Sequence, residues 1–176
     1  MVFVRMSGCN IRCSFCDTPY AFTRGMTIKV DRLCKHIEKY RCRRICITGG
    51  EPFLQKLSSL TECLKRKGYW LTAETNGTIW QKLALDWLTV SPKKQGTSFF
   101  PCGYDPRFLK VASEFKYVIT GAEDLNFIDR RINQPVILQP VNNDVSIAKL
   151  ISVFLKKNPG FNWYLRFQNH KIIGVK

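Results

Sequence analysis

Short apolar runs rich in β-branched and aromatic residues recur along the chain, and longer segments with helical apolar spacing lie between them. The runs predict strands at 2–6 (VFVRM), 43–48 (RRICIT), 69–75 (YWLTAET), 86–91 (DWLTVS), 114–120 (EFKYVIT), 135–141 (PVILQPV) and 162–168 (NWYLRFQ). Helices are predicted at 31–40, 54–67, 122–131 and 145–157. In the last of these Ile147, Leu150, Ile151 and Phe154 share one stripe, with Asp144 and Ser146 near its start and lysines at its end, the polarity a helix dipole favours. Strand alternating with helix implies a parallel sheet with crossover helices. Six or seven strands in 176 residues are too few for a closed eight-stranded barrel, so the expected fold class is α/β, a partial, open (β/α) barrel of about six parallel strands. Between 92 and 113 the pattern lapses, and an irregular excursion is expected.

Polar residues collect where strands end. The second predicted strand runs into Thr48-Gly49-Gly50-Glu51-Pro52 and the third into Glu74-Thr75-Asn76-Gly77-Thr78. The fourth ends in Ser91-Pro92-Lys93, the sixth in Gln139-Pro140 and the last in Gln168-Asn169-His170-Lys171. In α/β sheets and barrels ligands sit outside the carboxyl ends of the strands, so one site built from many strand ends is the economical reading.

Composition narrows the class. At 176 residues and 45% hydrophobic content the chain can bury one real core, and a single domain over 1–176 is expected. No apolar run approaches a membrane span, and the start lacks the apolar segment of a secretory signal. A cytoplasmic location, where thiols stay reduced, is the default. The net charge of +15 falls in short clusters at 40–45, 64–68 and 155–158, which read as solvated faces or helix ends. No aromatic-basic RNA module accompanies them, so no nucleic-acid partner is expected; a small anionic substrate would use the same field.

Of eight cysteines, three fall within eight residues: Cys9, Cys13 and Cys16, spaced C-x3-C-x2-C. Thiolates ligate zinc and iron–sulfur clusters, but a structural zinc site wants four ligands, usually as two separated pairs. Three clustered cysteines without a nearby fourth ligand suit a cubane cluster with one iron left open. Cys34, Cys42, Cys46, Cys63 and Cys102 stand singly in the sequence and read by default as small buried hydrophobes.

The trio, with the aromatic Phe15 before its third cysteine, resembles the cluster motif of the radical S-adenosylmethionine (SAM) superfamily, and TGGEP resembles its segment for the methionine amino group. VFVRMSGCNIRCSFCDTPYAF, ITGGEP, ETNGT, VSPK, FKYVI, LQPV and the terminal QNHKIIGVK together resemble the 7-carboxy-7-deazaguanine synthase family, over residues 2–176.

The resemblance implies a [4Fe–4S] cluster on Cys9, Cys13 and Cys16, with SAM bound at the open iron and cleaved to methionine and a 5′-deoxyadenosyl radical. It places Phe15, Asp17, Gly50, Glu51, Ser91, Lys93 and Gln139 around SAM. The implied substrate is 6-carboxy-5,6,7,8-tetrahydropterin, which loses ammonia as its ring contracts, on the route to queuosine and related 7-deazapurines. Arg5 and His170 would meet its carboxylate. Thr48, Gly50, Glu74, Asn76 and the terminal carboxylate of Lys176 would face its other polar edge. Mg2+ is implied beside Thr18, as are an electron donor such as flavodoxin or ferredoxin and a homodimer. Family members carry a further strand and a QGEG-type loop before the residues matching Val2 and Phe3. Neither is found here, so the expectation is a core domain truncated at its N-terminus with one wall of the pocket thinned. Two other readings remain open: a different radical SAM enzyme such as a glycyl-radical activase, and a non-catalytic metal- or RNA-binding module.

Overall fold

The seven predicted strands all form, and they lie in the sheet in the order in which they occur in the chain. The structure, a computed structural model, describes residues 1–174. The strands are β1 (Val2–Met6), β2 (Arg44–Gly49), β3 (Trp70–Thr75), β4 (Trp87–Val90), β5 (Glu114–Ile119), β6 (Val136–Pro140) and β7 (Trp163–Leu165). Every neighbouring pair is parallel, and β1 and β7 are the two edges of an open sheet.

Successive parallel neighbours need crossovers, and right-handed crossovers of one step put every helix on the same face. These helices are α1 (Val30–Ile37), α2 (Ser58–Arg66), α3 (Ala122–Asn126) and α4 (Val145–Lys157); a short α5 (Asn169–Ile172) follows β7. Side chains alternate across a strand, so each strand sends one set toward the helices. That set is Ile45 and Ile47, Leu71 and Ala73, Leu88 and Val90, Phe115, Tyr117 and Ile119, and Val136 and Leu138, all buried. The alternate set on the open face is largely polar: Arg5, Thr48, Glu74, Thr89, Ser91, Lys116 and Gln139.

The predicted helix over 54–67 is shorter than its apolar spacing suggests. The chain first makes a 3-10 turn at Pro52–Leu54, because the Glu51 carboxylate accepts from the Phe53 N–H. Gln81 then holds the run into α2, donating to the carbonyls of Phe53 and Gln55 and accepting from the Leu57 N–H. Similarly α3 ends at Asn126, well before residue 131, since Asp129 turns to meet the Tyr104 hydroxyl (2.6 Å) and the Arg131 guanidinium. The segment 92–113 is irregular as expected, yet it is anchored. Tyr104 packs on Phe115 with ring centroids 5.0 Å apart, and Phe108 packs on Trp80 at 4.9 Å. α4 follows its predicted stripe, with the Asp144 carboxylate accepting from the N–H groups of Ser146 and Ile147 at its start.

Candidate active site

The loop after β1 carries the three cysteines, and backbone hydrogen bonds lock it to the loop after β2. Gly50 N–H donates to the Met6 carbonyl (3.0 Å), Glu51 N–H to the Gly8 carbonyl (2.7 Å), and Gly8 N–H to the Ala21 carbonyl (2.8 Å). Such contact explains the glycine pair. A Cβ on Gly50 would stand 2.1 Å from the Gly8 oxygen, and one on Gly49 would stand 2.1 Å from the Met6 oxygen. Gly49 also has φ of +136°, in the region L side chains avoid. The room these glycines leave is therefore filled by the cysteine loop itself.

Glu51 is fully buried. Its Oε1 accepts from Phe53 N–H (2.9 Å) and the Thr75 hydroxyl (2.7 Å), and its Oε2 accepts from Asn76 N–H (2.6 Å). Burial pushes its pKa up against these donors. This carboxylate, which the resemblance places beside SAM, joins the β2 loop to the end of β3. Asn76 is tied in the same way. Its amide nitrogen donates to the side-chain oxygen of Asn10 (2.9 Å), and its oxygen accepts from both the backbone N–H and the hydroxyl of Thr78. Asn10, which lies between the first two cysteines, donates in turn to the Thr78 hydroxyl (2.8 Å). Asn76 thus ties the cysteine loop to the end of β3.

All three cysteines are half-buried. Burial raises the pKa of Cys13; the Lys93 ammonium opposes it, while Cys9 and Cys16 add to it, as expected of thiols sharing one small volume. Lys93 donates to the carbonyl and hydroxyl of Ser91, both at 2.6 Å, and burial lowers its pKa to about 8. The Ser91 hydroxyl itself donates to the Lys116 carbonyl (2.7 Å). The backbone N–H of Thr18 points at Cys16 Sγ (3.4 Å), with the Thr18 hydroxyl 3.6 Å from the same sulfur. No group of three or more His, Cys, Asp or Glu side chains converges to hold a single metal ion among the described residues. Three half-exposed soft donors on one loop, one facing a lysine and one already receiving an N–H, suit a thiolate-ligated cluster.

A cleft of about 510 Å3 opens beside this loop, between Ser14 and Phe15 on one side and the ends of β4 and β5 on the other. Phe15 and Lys93 line it, together with Tyr117, Thr120 and Phe127, which the sequence did not single out. The fifth strand also ends in a polar-Gly step, Thr120-Gly121, where Asp124 accepts from both N–H groups. That is the signal present at the other strand ends, and applying it uniformly would have found this wall.

Asp17 reaches across the open side of the sheet. Its carboxylate accepts from Gln168 Nε2 (2.9 Å) and lies 3.5 Å from Lys171 Nζ. Burial acts to raise its pKa, but Gln168 and Lys171 prevail and hold it below the usual value. Asn143, at φ of +59°, completes this clasp by accepting from Gln168 N–H (2.7 Å) and donating to its carbonyl (3.1 Å). Of the residues expected near substrate, Arg5 lies on β1, level with Thr48 and with its guanidinium over the Phe3 ring. Glu74 is ion-paired with Lys116 (3.3 Å), a partner the sequence did not suggest. Gln139 is half-buried on β6, and His170 is exposed in α5 beyond β7. Lys176 lies outside the described residues.

A parallel open sheet with a three-thiolate loop at its first strand end defines a class. The Radical SAM superfamily model matches residues 3–93, just over half the chain, and that superfamily implies a [4Fe–4S] cluster and SAM. A 7-carboxy-7-deazaguanine synthase of Bacteroides thetaiotaomicron is 32% identical over 99% of this chain and 87% of that protein. That of Haemophilus influenzae is 30% identical over 99% and 84%. That of Aquifex aeolicus is 38% identical, matching 67% of this chain and 55% of that longer protein. The chain belongs to the 7-carboxy-7-deazaguanine synthase family, a family of lyases. The fold agrees: the structure of QueE from Escherichia coli superposes with a TM-score of 0.74 over 94% of this chain and 84% of that one, at 24% identity. SuiB from Streptococcus suis, at a TM-score of 0.59, covers 95% of this chain and 48% of its own. Among the described residues no helix is long and apolar enough to cross a membrane.

Proposed function

We propose that this chain makes 7-carboxy-7-deazaguanine from 6-carboxy-5,6,7,8-tetrahydropterin, releasing ammonia, in the cytoplasmic supply of 7-deazapurines such as queuosine. The observation that carries this reading is the interlock of the cysteine loop with TGGEP at the polar ends of consecutive parallel strands, in a chain of this family. When bound, the cluster and SAM supply the radical that abstracts hydrogen from the substrate.

The chain's own residues then have separable tasks. Cys9, Cys13 and Cys16 hold the cluster, and Thr18 N–H supports the third thiolate. Phe15, on the cleft wall, would pack near the adenine of SAM, the backbone at Gly50 and Glu51 would meet its methionine end, and Ser91, Lys93 and Gln139 would offer polar contacts. Arg5 and His170 offer cationic groups to the pterin carboxylate, Arg by a two-pronged fork. Glu74 and Thr48 accept from the amino-amide edge, with Lys116 holding Glu74 toward the open face. The Thr18 hydroxyl, an oxygen donor suited to a hard cation, would be the chain's ligand to Mg2+. A flavodoxin or ferredoxin supplies electrons, and the chain works as a homodimer.

Anaerobic reconstitution tests this. About four irons and four sulfides per chain are expected, lost in Cys13→Ala. Ammonia and the deazaguanine should then form in a SAM-dependent, Mg2+-stimulated reaction. A cluster-bearing protein that cleaves SAM yet leaves carboxytetrahydropterin unchanged would overturn the assignment.

A further inference from the structure

Two cysteines that stand 29 residues apart in the sequence meet where α1 packs on α2: Cys34 Sγ lies 2.8 Å from Cys63 Sγ. Both lie on the helix-covered side, away from the cysteine loop. Cys34 is 1% exposed and belongs to the core, whereas Cys63 is only partly buried at its margin. Other thiols are engaged elsewhere: Cys42 donates to the Arg44 carbonyl and Cys102 to the Tyr104 carbonyl. We infer that Cys34 and Cys63 form a redox-modification site, in which a small-molecule disulfide oxidises the pair and cross-links α1 to α2.

Geometry and exposure set the order of events. Cys63 can be reached from solvent, so its thiolate attacks the small disulfide, forming a mixed disulfide and expelling one thiolate. Cys34 Sγ, already in contact, then attacks the Cys63 sulfur and releases the second thiolate. Two protein thiols are oxidised and one external disulfide is reduced to two thiols, which carry away both protons. Burial and then the Cys63 contact push the Cys34 pKa up to about 12, which makes Cys34 a poor first attacker. Contact at 2.8 Å makes the second step intramolecular, which offsets that deficit. The bond closes the chain from α1 through β2 to α2, so the loop that presents TGGEP is tethered at both flanks. Constraining the unfolded chain in this way should raise the melting temperature by roughly 5–10 °C.

The cluster-loaded protein, in which the trio is masked, is incubated anaerobically with oxidised glutathione, alkylated and digested with trypsin. The expected product joins residues 33–35 (LCK) to 57–65 (LSSLTECLK) with loss of two hydrogens, and a reductant reverses both the link and the melting shift. Cys63→Ala should show neither link nor shift. Cys34→Ala should instead trap a stable glutathione adduct on Cys63, which shows the order of attack without requiring the cross-link to form. The proposal fails if wild-type protein keeps the adduct on Cys63 while Cys34 remains alkylatable. It also fails if neither cysteine reacts.

Discussion

The β1–β3 side of the site and the β5–β7 side are built differently. On the first, backbone N–H groups and buried side chains do the joining: Gly50 and Glu51 to the cysteine loop, Glu51 to β3, and Asn76 to Asn10. On the second, the joining is by polar side chains in reach of water, above all Asp17 to Gln168 and Lys171. A buried donor or acceptor has no water to fall back on, so the first half has one conformation or none. An exposed tie can open at little cost. The half that carries the cysteine loop is joined by buried and backbone hydrogen bonds, and the other is fastened by exposed side chains.

Four substitutions should break that contrast at graded cost. Gly50→Ala drives a methyl into the Gly8 carbonyl, and it should cost about 3 kcal/mol or more and abolish cluster retention, read by urea unfolding and iron content. Glu51→Gln replaces one acceptor by a donor opposite N–H or O–H groups; a loss of about 2–3 kcal/mol is expected in the same assay. If it were neutral, the buried network would not be what fixes the β2 loop. Asn76→Ala should cost about 1–2 kcal/mol and weaken cluster binding by loosening the cysteine loop, read as a fall in iron occupancy.

Asp17→Asn sits at the small end, with a stability change below about 1 kcal/mol at neutral pH. Its visible effect should be faster proteolysis after β7. Because the folded-state pKa of Asp17 is lowered, the stabilising contribution is full above the unfolded value of about 3.9 and is lost as pH falls through the lower folded one. Wild type and variant should therefore differ by a constant amount from pH 5 to 8 and converge only in acid. Equal proteolysis of the two proteins would remove the clasp from the account.

What the sequence disclosed and what it hid follow the same physical line. Strand runs, the α4 stripe and the cysteine spacing are periodic or local, and all could be read directly. The interlock could not, because the reason for Gly49 and Gly50 lies in Met6 and Gly8, on another strand end. Glu51 and Asn76 sit in linear motifs, and only the fold shows which groups their polar atoms join. Cys34 and Cys63 read as isolated because nothing in one dimension brings α1 against α2. The Lys116–Glu74 pair was hidden likewise, since it spans β3 and β5 across an intervening strand.

The hydrogen bond from Gln168 to Asp17 spans 151 residues, with the edges of the sheet at its two ends. On a ribosome adding residues from the N-terminus, the interlock of residues 6–51 and the Asn10–Asn76 tie can form while the rest of the chain is unmade. The clasp must wait until Gln168 has emerged. A nascent chain would thus own the interlocked cysteine loop long before it owns the clasp. Assembly of the interlocked loop and fastening of the clasp are separable in time, the first open to the unfinished chain and the second reserved for the finished one.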